Sequence, residues 1–168
     1  FEGFEFIDGG VCAAEGFTAA GVIAGIKAGN TTKRDLAMIY CAERCKTAAL
    51  YTTNKVKGAP IIVTKKHLED GYAQAVIVNS GNANTCNADG IEIAEAMSEL
   101  VAKQLPIPAG DVVVASTGVI GQPLKLEPIA AGLPALAEGL NPDGSAAAAE
   151  AIMTTDTVKK EVAVETTV

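Results

Sequence analysis

Aromatic residues are scarce in this sequence, and tryptophan is absent. Aromatic side chains make up 4% of the 168 residues, whereas glycine occurs 17 times. Proteins that bind single-stranded nucleic acid stack the bases on aromatic side chains. The composition therefore disfavours that class of protein and favours closely packed small residues joined by many turns.

Positive charge is also in short supply. The 13 basic and 20 acidic side chains give a formal net charge of −7 and a pI near 4.7. A surface that follows nucleic-acid phosphates is expected to be basic. Nucleic acid is therefore not an expected partner.

The sequence has no long hydrophobic run. No apolar stretch approaches the roughly 18 residues of a membrane helix, and residues 1–5 are acidic where a signal peptide would be basic. We therefore expect no membrane association and a cytoplasmic location. Because the chain starts with Phe1 and not with methionine, we also expect that a few residues are missing from its beginning.

Metal-ligating and nucleophilic groups are few. His67 is the only histidine, and it lies in a charged segment that we predict to be a solvated turn. No Cys-x-x-Cys pair occurs, so a zinc site would need thiolates from three separate segments. We expect no metal site and free thiols at Cys12, Cys41, Cys45 and Cys86.

What the sequence does have is a large apolar fraction, 49%, against 20% charged residues. Such a chain can bury a sizeable core. Runs rich in β-branched residues and bounded by turn formers predict strands. These predicted strands are residues 35–41, 47–52, 59–64, 73–79 and 112–115.

Helical periodicity appears in the second half of the chain. Residues 90–105 place apolar residues on one stripe, and Asp89 and Glu92 are spaced as a capping box. Residues 127–140 predict a second helix interrupted by glycine and proline, followed by an alanine-rich turn or two over residues 145–153. Alternation over residues 160–167 predicts a half-buried strand that is cut off at Val168. The whole, residues 1–168, is predicted to be one mixed α/β domain.

Three polar loops could carry chemistry. Residues 76–84 run from a strand into asparagines and small residues that could hold a substrate or an anion, or could simply cap their own backbone. Residues 112–123 end a strand at Thr117 and Gly118, whose donors could form an oxyanion hole, a phosphate cradle or an inert turn. Residues 151–160 contain Thr154 and Thr155, which could bind a polar substrate.

Read in order, five groups of motifs are similar to the α chain of the ornithine acetyltransferase family, the bifunctional glutamate N-acetyltransferases of arginine biosynthesis. They lie at residues 16–22 with 25–27, 52–60, 79–84, 115–121 and 152–157. The resemblance implies a layered αββα sandwich. It also implies a precursor that cleaves itself at an Ala-Thr bond, so that the new N-terminal threonine heads a separate β chain, and an α2β2 arrangement of the two chains.

The implied reaction moves an acetyl group from N-acetylornithine to glutamate through an acyl-threonine on the β chain. The resemblance implies no metal or prosthetic group, although some members also accept acetyl-CoA as the acetyl donor. Since the sequence stops at Val168, before the expected cleavage site, it is interpreted as an α chain without its tail. It is not expected to be active alone.

The resemblance also suggests roles for individual residues. Thr117 and Gly118 correspond to the oxyanion hole, and Thr154 corresponds to a substrate contact. The amides at positions 79, 82 and 84 receive no defined role. Two alternatives remain: a self-cleaving aminopeptidase or amidase of the same fold, and a non-catalytic metabolite-binding domain that is a stable monomer. Against the second, we expect the isolated chain to expose apolar surface and to be poorly soluble.

Overall fold

The computed structural model describes residues 3–167. Its strands are β1 (Phe4–Ile7), β2 (Phe17–Val22), β3 (Leu36–Lys46), β4 (Tyr72–Asn79), β5 (Val112–Ser116) and β6 (Ala163–Thr166). Its helices are α1 (Ala59–His67), α2 (Gly90–Gln104), α3 (Glu127–Glu138) and α4 (Ser145–Ala151), with short 3₁₀ turns at Gly10–Cys12, Leu68–Asp70 and Ala109–Asp111. The mixed α/β class is confirmed. Phe1 and Val168, on which the expectations about the two chain ends depend, lie outside the described residues.

Strands β2 to β5 form one sheet in the order β2-β3-β4-β5. The first two pairings are antiparallel, whereas β4 and β5 are parallel and place Asn79 opposite Ser116. Parallel neighbours need a long crossover connection, which here contains α2. As a result, the carboxyl ends of β4 and β5 lie side by side.

The main core lies between this sheet and helices α2 and α3. Alternate residues of the central strands point into it, including Leu36 and Met38 of β3 and Ile77 of β4, all fully buried. They meet the apolar stripes of the two helices, such as Met97 and Ile129. Burial of alternate strand residues against an apolar stripe on each helix is the pattern expected where helices pack on a face of a sheet.

Helix α4 packs on the other face of the sheet through small residues. Ala19 and Ala37 of the sheet meet Ala148 and Ala151 of the helix. A Cβ atom added at Gly21 would lie 2.2 Å from the Ala147 carbonyl oxygen. The helix can approach β2 this closely only because glycine stands at that position.

Two predicted strands are wrong. Residues 59–64 form most of α1, because Gly58 precedes the helix and Pro60 occupies its first turn, where proline is well tolerated. Residues 47–52 form no strand, and Leu50 is fully exposed. An extended segment needs a neighbouring strand to satisfy its backbone, and this segment pairs with none of the described strands.

Helix α1 explains why the β-branched run does not extend the sheet. The Thr64 hydroxyl donates to the Val114 carbonyl oxygen at 2.9 Å and accepts from the Val114 amide at 3.0 Å. His67 Nδ1 donates to the Val112 carbonyl oxygen at 2.8 Å. The helix therefore covers the edge of β5, and covering is one way in which proteins protect an edge strand.

The prediction of a solvated turn at His67 is wrong, because this residue is half-buried in the last turn of α1.

The other helical predictions hold with local corrections. Helix α2 spans Gly90–Gln104, but Asp89 makes no side-chain capping bond, so the predicted capping box is wrong. Helix α3 continues through Pro134 without a break. Its buried residues Ile129, Leu133 and Leu136 keep it against the core.

Strands β1 and β6 form a separate antiparallel ribbon that pairs Phe4 with Thr166. Strand β6 confirms a strand within residues 160–167, but it is not half-buried: Val164 is 50% exposed and Val162, just before the strand, 69%. Across the ribbon, Phe6 is 82% exposed. Strands β1 and β2 were not among the predicted strands.

An ion-pair cluster joins β3 to the end of the sheet opposite the carboxyl ends of β4 and β5. Arg44 donates to both carboxylate oxygens of the buried Asp111, at 2.8 and 2.7 Å, and also to Asp70. Its guanidinium lies 4.7 Å from the centre of the Tyr72 ring. The register of β3 against β4 shifts between Tyr40 and Cys45, and Arg44 fastens this irregular stretch to the turn before β5.

Candidate active site

A cleft of about 980 Å³ lies beside the carboxyl ends of β4 and β5. The loops that follow these two strands form two of its walls. A third wall comes from residues 25–35, and a fourth from the segment after α4. Loops held by a rigid sheet are the usual place for binding and catalytic groups. Because four distant stretches of sequence meet here, the cleft is the candidate site.

Asn79, the last residue of β4, organises the first loop. It is completely buried, and its Oδ1 accepts hydrogen bonds from the amides of Gly81 at 3.1 Å and Asn82 at 3.0 Å. Its Nδ2 donates to the Ser116 Oγ at 2.7 Å. The side chain thus shapes the turn after β4 and fixes that turn to the end of β5.

Asn82 then ties the first loop to the second. Its Nδ2 donates to the carbonyl oxygen of Gln122 at 2.9 Å, and its Oδ1 accepts from the Asn84 amide at 2.7 Å. The Ala83 amide donates to the Val119 carbonyl oxygen at 2.9 Å. The asparagine-rich loop is therefore a scaffold for residues 117–123.

Of the three asparagines, only Asn82 lines the cleft. Asn84 is buried below it, adopts a φ of +47°, and donates to the Gly90 carbonyl oxygen at 2.8 Å. The sequence reading left a choice between a ligand-holding loop and a self-capping turn. The observed hydrogen bonds fit a self-capping turn whose outer surface faces the cleft.

Gly118 occupies a position that requires glycine. Its φ is +129°, and an added Cβ would lie 2.8 Å from the Asn82 amide nitrogen and 2.8 Å from the Gly81 carbonyl carbon. Both the backbone conformation and the space therefore exclude a side chain. The close approach presses the two loops together at the floor of the cleft.

Thr117 and Gly118 present two unused hydrogen-bond donors at this point. The Thr117 amide is held by the Asn79 carbonyl oxygen at 2.9 Å, which fixes the backbone. Within residues 3–167, neither the Thr117 hydroxyl nor the Gly118 amide has a hydrogen-bond partner. Two adjacent donors on a rigid backbone suit the stabilisation of a negatively charged oxygen.

Thr154 and Thr155 line the cleft from the segment that follows α4. The three residues singled out in the sequence, Thr117, Gly118 and Thr154, thus lie around one cavity. The Lys33 ammonium donates to the Thr154 carbonyl oxygen at 3.0 Å. This contact connects the fourth wall to the third.

The third wall was missed by sequence reasoning as a source of site residues. Its centre is Asp35, which is 3% exposed and accepts hydrogen bonds from the amides of Ala24 at 2.7 Å and Ile26 at 2.8 Å. The only signal in the sequence is an aspartate directly before an apolar strand. Such a residue is also common at ordinary turns.

Positive charge lines the cleft although the whole chain is acidic. Lys27, Lys33 and Lys125 all reach it, while the only lining carboxylate, Asp35, is occupied by backbone amides and the Asn30 side chain. In the described part of the chain, no carboxylate lies within 4.0 Å of these three ammonium groups. The cleft therefore suits a ligand that carries a carboxylate.

The cysteines and His67 lie outside the lining of the cleft. Burial raises the pKa of the Cys12 thiol, and burial together with the neighbouring Cys41 raises that of Cys45. Both shifts disfavour the thiolate. All four cysteines are free, and residues 3–167 contain no cluster of three or more potential metal ligands.

None of the helices within residues 3–167 is long and apolar enough to cross a membrane.

Comparison with known proteins identifies the family of the chain. A profile of the ArgJ family matches residues 18–168. The chain belongs to the ArgJ family. This match confirms the family resemblance inferred from the five motif groups.

Two relatives illustrate the match. The arginine biosynthesis bifunctional protein ArgJ of Symbiobacterium thermophilum is 48% identical over 160 residues, which are 95% of this chain and 40% of the relative. The protein of the same name from Caldanaerobacter subterraneus subsp. tengcongensis is 46% identical over 162 residues, 96% of this chain and 40% of the relative. The chain thus spans about 40% of the length of these curated ArgJ relatives.

Solved structures of the ArgJ family show the same fold. Ornithine acetyltransferase from Mycobacterium tuberculosis, crystallised with ornithine, matches with a TM-score of 0.89 and 39% identity over 96% of this chain and 88% of that one. ArgJ from Bacillus halodurans matches with a TM-score of 0.89 and 38% identity over 98% and 86%. This agreement confirms the fold class.

Proposed function

We propose that the chain is the α chain of an acetyltransferase that moves the acetyl group of N-acetylornithine to glutamate. The observation that carries the proposal is the pair of unused donors, the Thr117 hydroxyl and the Gly118 amide, on a backbone fixed by Asn79. A relative crystallised with ornithine supports the class of substrate. Lys27 and Lys125, which line the cleft, support a substrate that bears a carboxylate.

In this proposal, the nucleophile is a threonine hydroxyl on a separate β chain made by self-cleavage of one precursor. The α-amine of this threonine takes the hydroxyl proton as the oxygen bonds to the acetyl carbonyl carbon, and the carbonyl oxygen becomes negative while Thr117 and Gly118 donate to it. The bond to the ornithine nitrogen then breaks, and that nitrogen leaves with a proton. The glutamate amine attacks the resulting ester, releasing the threonine hydroxyl and forming N-acetylglutamate.

The remaining features of the proposal concern the assembly and its substrates. Residues 1–168 belong to a single domain of the α chain, which works in an α2β2 enzyme in the cytoplasm. Thr154 contacts the substrate. The reaction uses no metal or prosthetic group, and acetyl-CoA belongs to the substrates, as a second acetyl donor, and is not a bound cofactor.

The decisive experiment is an intact-mass spectrum of the full-length gene product, recorded before and after addition of N-acetylornithine. We expect a second chain that begins with threonine and gains one acetyl group. Addition of glutamate should then remove that group and yield N-acetylglutamate. Release of free acetate would favour a hydrolase of the same fold, and a single unmodified chain would favour a binding domain.

A further inference from the structure

The fourth wall of the cleft is held in place by one lysine. We propose that Lys33 is a positioning residue, whose ammonium fixes Thr154 relative to the loop of Thr117 and Gly118. The bond joins the Lys33 Nζ to the Thr154 carbonyl oxygen over 3.0 Å and spans 121 positions of sequence. The inference rests on the proposed function, because that function makes Thr154 a substrate contact.

The backbone of Lys33 is held by hydrogen bonds to Asn30, which in turn binds the buried Asp35 carboxylate. The Oδ2 of Asp35 accepts a hydrogen bond from the Asn30 Nδ2 at 2.9 Å. The same Nδ2 donates to the Lys33 carbonyl oxygen at 2.7 Å, and the Lys33 amide donates to the Asn30 Oδ1 at 3.1 Å. The Asn30 side chain therefore bonds to both backbone polar groups of Lys33, so the point at which the lysine side chain leaves the backbone is fixed.

The segment that carries Thr154 runs from the end of α4 to Glu161, whose Oε2 accepts a hydrogen bond from the Ser145 Oγ at 2.7 Å. Helix α4 ends at Ala151, and the Met153 amide donates back to the Glu150 carbonyl oxygen as the last bond of that turn. Asp156 bonds within the segment, accepting from Lys160 at 2.6 Å. Within residues 3–167, the Lys33 ammonium is the one hydrogen-bonding group outside residues 154–160 that binds this stretch.

Arg34, the residue next to Lys33, binds different groups. Arg34 Nη1 lies 2.5 Å from the Glu150 Oε2, and its Nε donates to the Gly21 carbonyl oxygen at 3.1 Å. Arg34 therefore fastens helix α4 to β2, and Lys33 fastens the segment beyond the helix. Loss of Lys33 should free Thr154 without moving α4, Thr117 or Gly118.

The expected kinetic signature is a change in KM. In the full-length protein, Lys33→Leu should raise the KM for N-acetylornithine about tenfold, the size expected when a hydrogen bond to a charged group is lost. The kcat should change less, by under about threefold, because the donors to the oxyanion stay in place. Lys33→Arg keeps a cationic donor and should restore most of the wild-type KM.

The control is Lys66→Leu, which removes the same type of side chain from α1. Lys66 is exposed and its Nζ lies 3.1 Å from the Glu95 Oε1, outside the residues that line the cleft. This variant should leave both kinetic constants unchanged. A similar rise in KM for Lys66→Leu would overturn the proposal, because it would assign the effect to net charge.

A double-mutant cycle tests whether Lys33 acts through Thr154. In a Thr154→Ala background, Lys33→Leu should change the KM by less than about twofold, since the contact that it positions is already gone. Additive effects of the two substitutions would overturn the positioning role and indicate that Lys33 touches the substrate directly. If Lys33→Leu does not fold, Lys33→Gln replaces it, because the shorter glutamine does not reach the Thr154 carbonyl.

A second readout does not depend on activity. With ¹³C-methyl methionine labelling, the Met153 resonance reports on the segment of Thr154, whereas Met38 and Met97 report on the core. Lys33→Leu should shift or broaden only the Met153 signal, which Met153→Leu identifies. An unchanged Met153 signal would refute the role of Lys33. Absence of acetyl transfer by the wild type would refute the proposed function instead, while the spectra would still decide the question of Lys33.

Discussion

The Nδ2 of Asn79 donates to the Oγ of Ser116 over 2.7 Å and so joins the last residue of β4 to the last residue of β5. The same asparagine accepts two backbone amides of the following turn. The loop with the asparagines and the loop with Thr117 therefore leave the sheet from one shared anchor. Damage at this anchor should affect both loops together.

Asn79→Ala should destabilise the protein by about 2–4 kcal/mol, because it removes three hydrogen bonds and leaves two buried amides without an acceptor. Urea unfolding of the full-length protein measures the change. Asn54→Ala is the matched control, since Asn54 also accepts one backbone amide, that of Val56, but is exposed. Equal losses for the two variants would contradict the anchoring role of Asn79.

Thr117→Ala should lower the rate of acyl-enzyme formation about 100-fold or more while the fold persists, because one donor to the developing oxyanion is removed. Single-turnover measurements with N-acetylornithine follow this step. Thr117→Ser keeps the hydroxyl and should retain most of the rate. If Thr117→Ala forms the acyl-enzyme at the wild-type rate, Thr117 has no oxyanion role.

Gly118→Ala should reduce both stability and activity, because the added Cβ enters space occupied by the backbone of Gly81 and Asn82. Gly121→Ala is the control for conformational strain alone, since Gly121 has a φ of +71° but no atom within 4 Å of an added Cβ. The control should cost about 1–2 kcal/mol for a left-handed non-glycine residue. Thermal unfolding should show a larger loss for Gly118→Ala. Equal losses would mean that the close approach of the two loops is not required.

Protonation of the Asp70 carboxylate should contribute to the loss of folding stability at acid pH. Its hydrogen bond from Arg44, aided by that from the Tyr72 amide, holds its pKa below the ordinary value of 3.8. A carboxyl whose pKa is lower in the folded state stabilises that state above its unfolded pKa, and this contribution is lost as the pH falls through the folded-state value. The stability advantage of the wild type over Asp70→Asn should therefore be full at neutral pH and shrink below about pH 4. Urea unfolding across this pH range checks the sign, and an advantage that grew on acidification would contradict it.

The sequence predicted elements best where the local pattern and the tertiary environment agree. Helix α2 was predicted to within one residue because its apolar stripe is also its buried face. Strand β4 was also predicted to within one residue, since its alternate residues are buried. In both cases the periodicity in the sequence is the periodicity of burial.

Predictions failed where a contact distant in sequence decided the outcome. The run at residues 61–63 has the β-branched composition of a strand, but the helix allows Thr64 to bond to Val114, which is 50 positions away. Residues 160–167 alternate correctly, yet only the ribbon partner β1 is present and most of the segment stays exposed. Neither partner can be read from the local pattern.

Some residues of the candidate site could likewise be predicted from the sequence, and others could not. Thr117, Gly118 and Thr154 could be selected because their loops contain chemically suggestive residues and match the motifs of a known family. Residues 25–27 belong to a matched motif, but the wall that they form with residues 28–35 could not be predicted. Its organising residue, Asp35, is 3% exposed and accepts hydrogen bonds from backbone amides. A buried carboxylate of this kind is recognised only when its partners are known in space.

The pairing of β1 with β6 has a consequence for how the molecule folds. Phe4 meets Thr166 across the ribbon, so this contact must wait until almost the whole intervening chain has been organised. Contacts between residues far apart in sequence form late, because the entropy of closing a long loop must be overcome first. The central sheet, built mostly from nearer neighbours, should form before the ribbon does. With its exposed apolar side chains, the ribbon should also be the first part to open under mild denaturant, well before the sheet that carries the cleft.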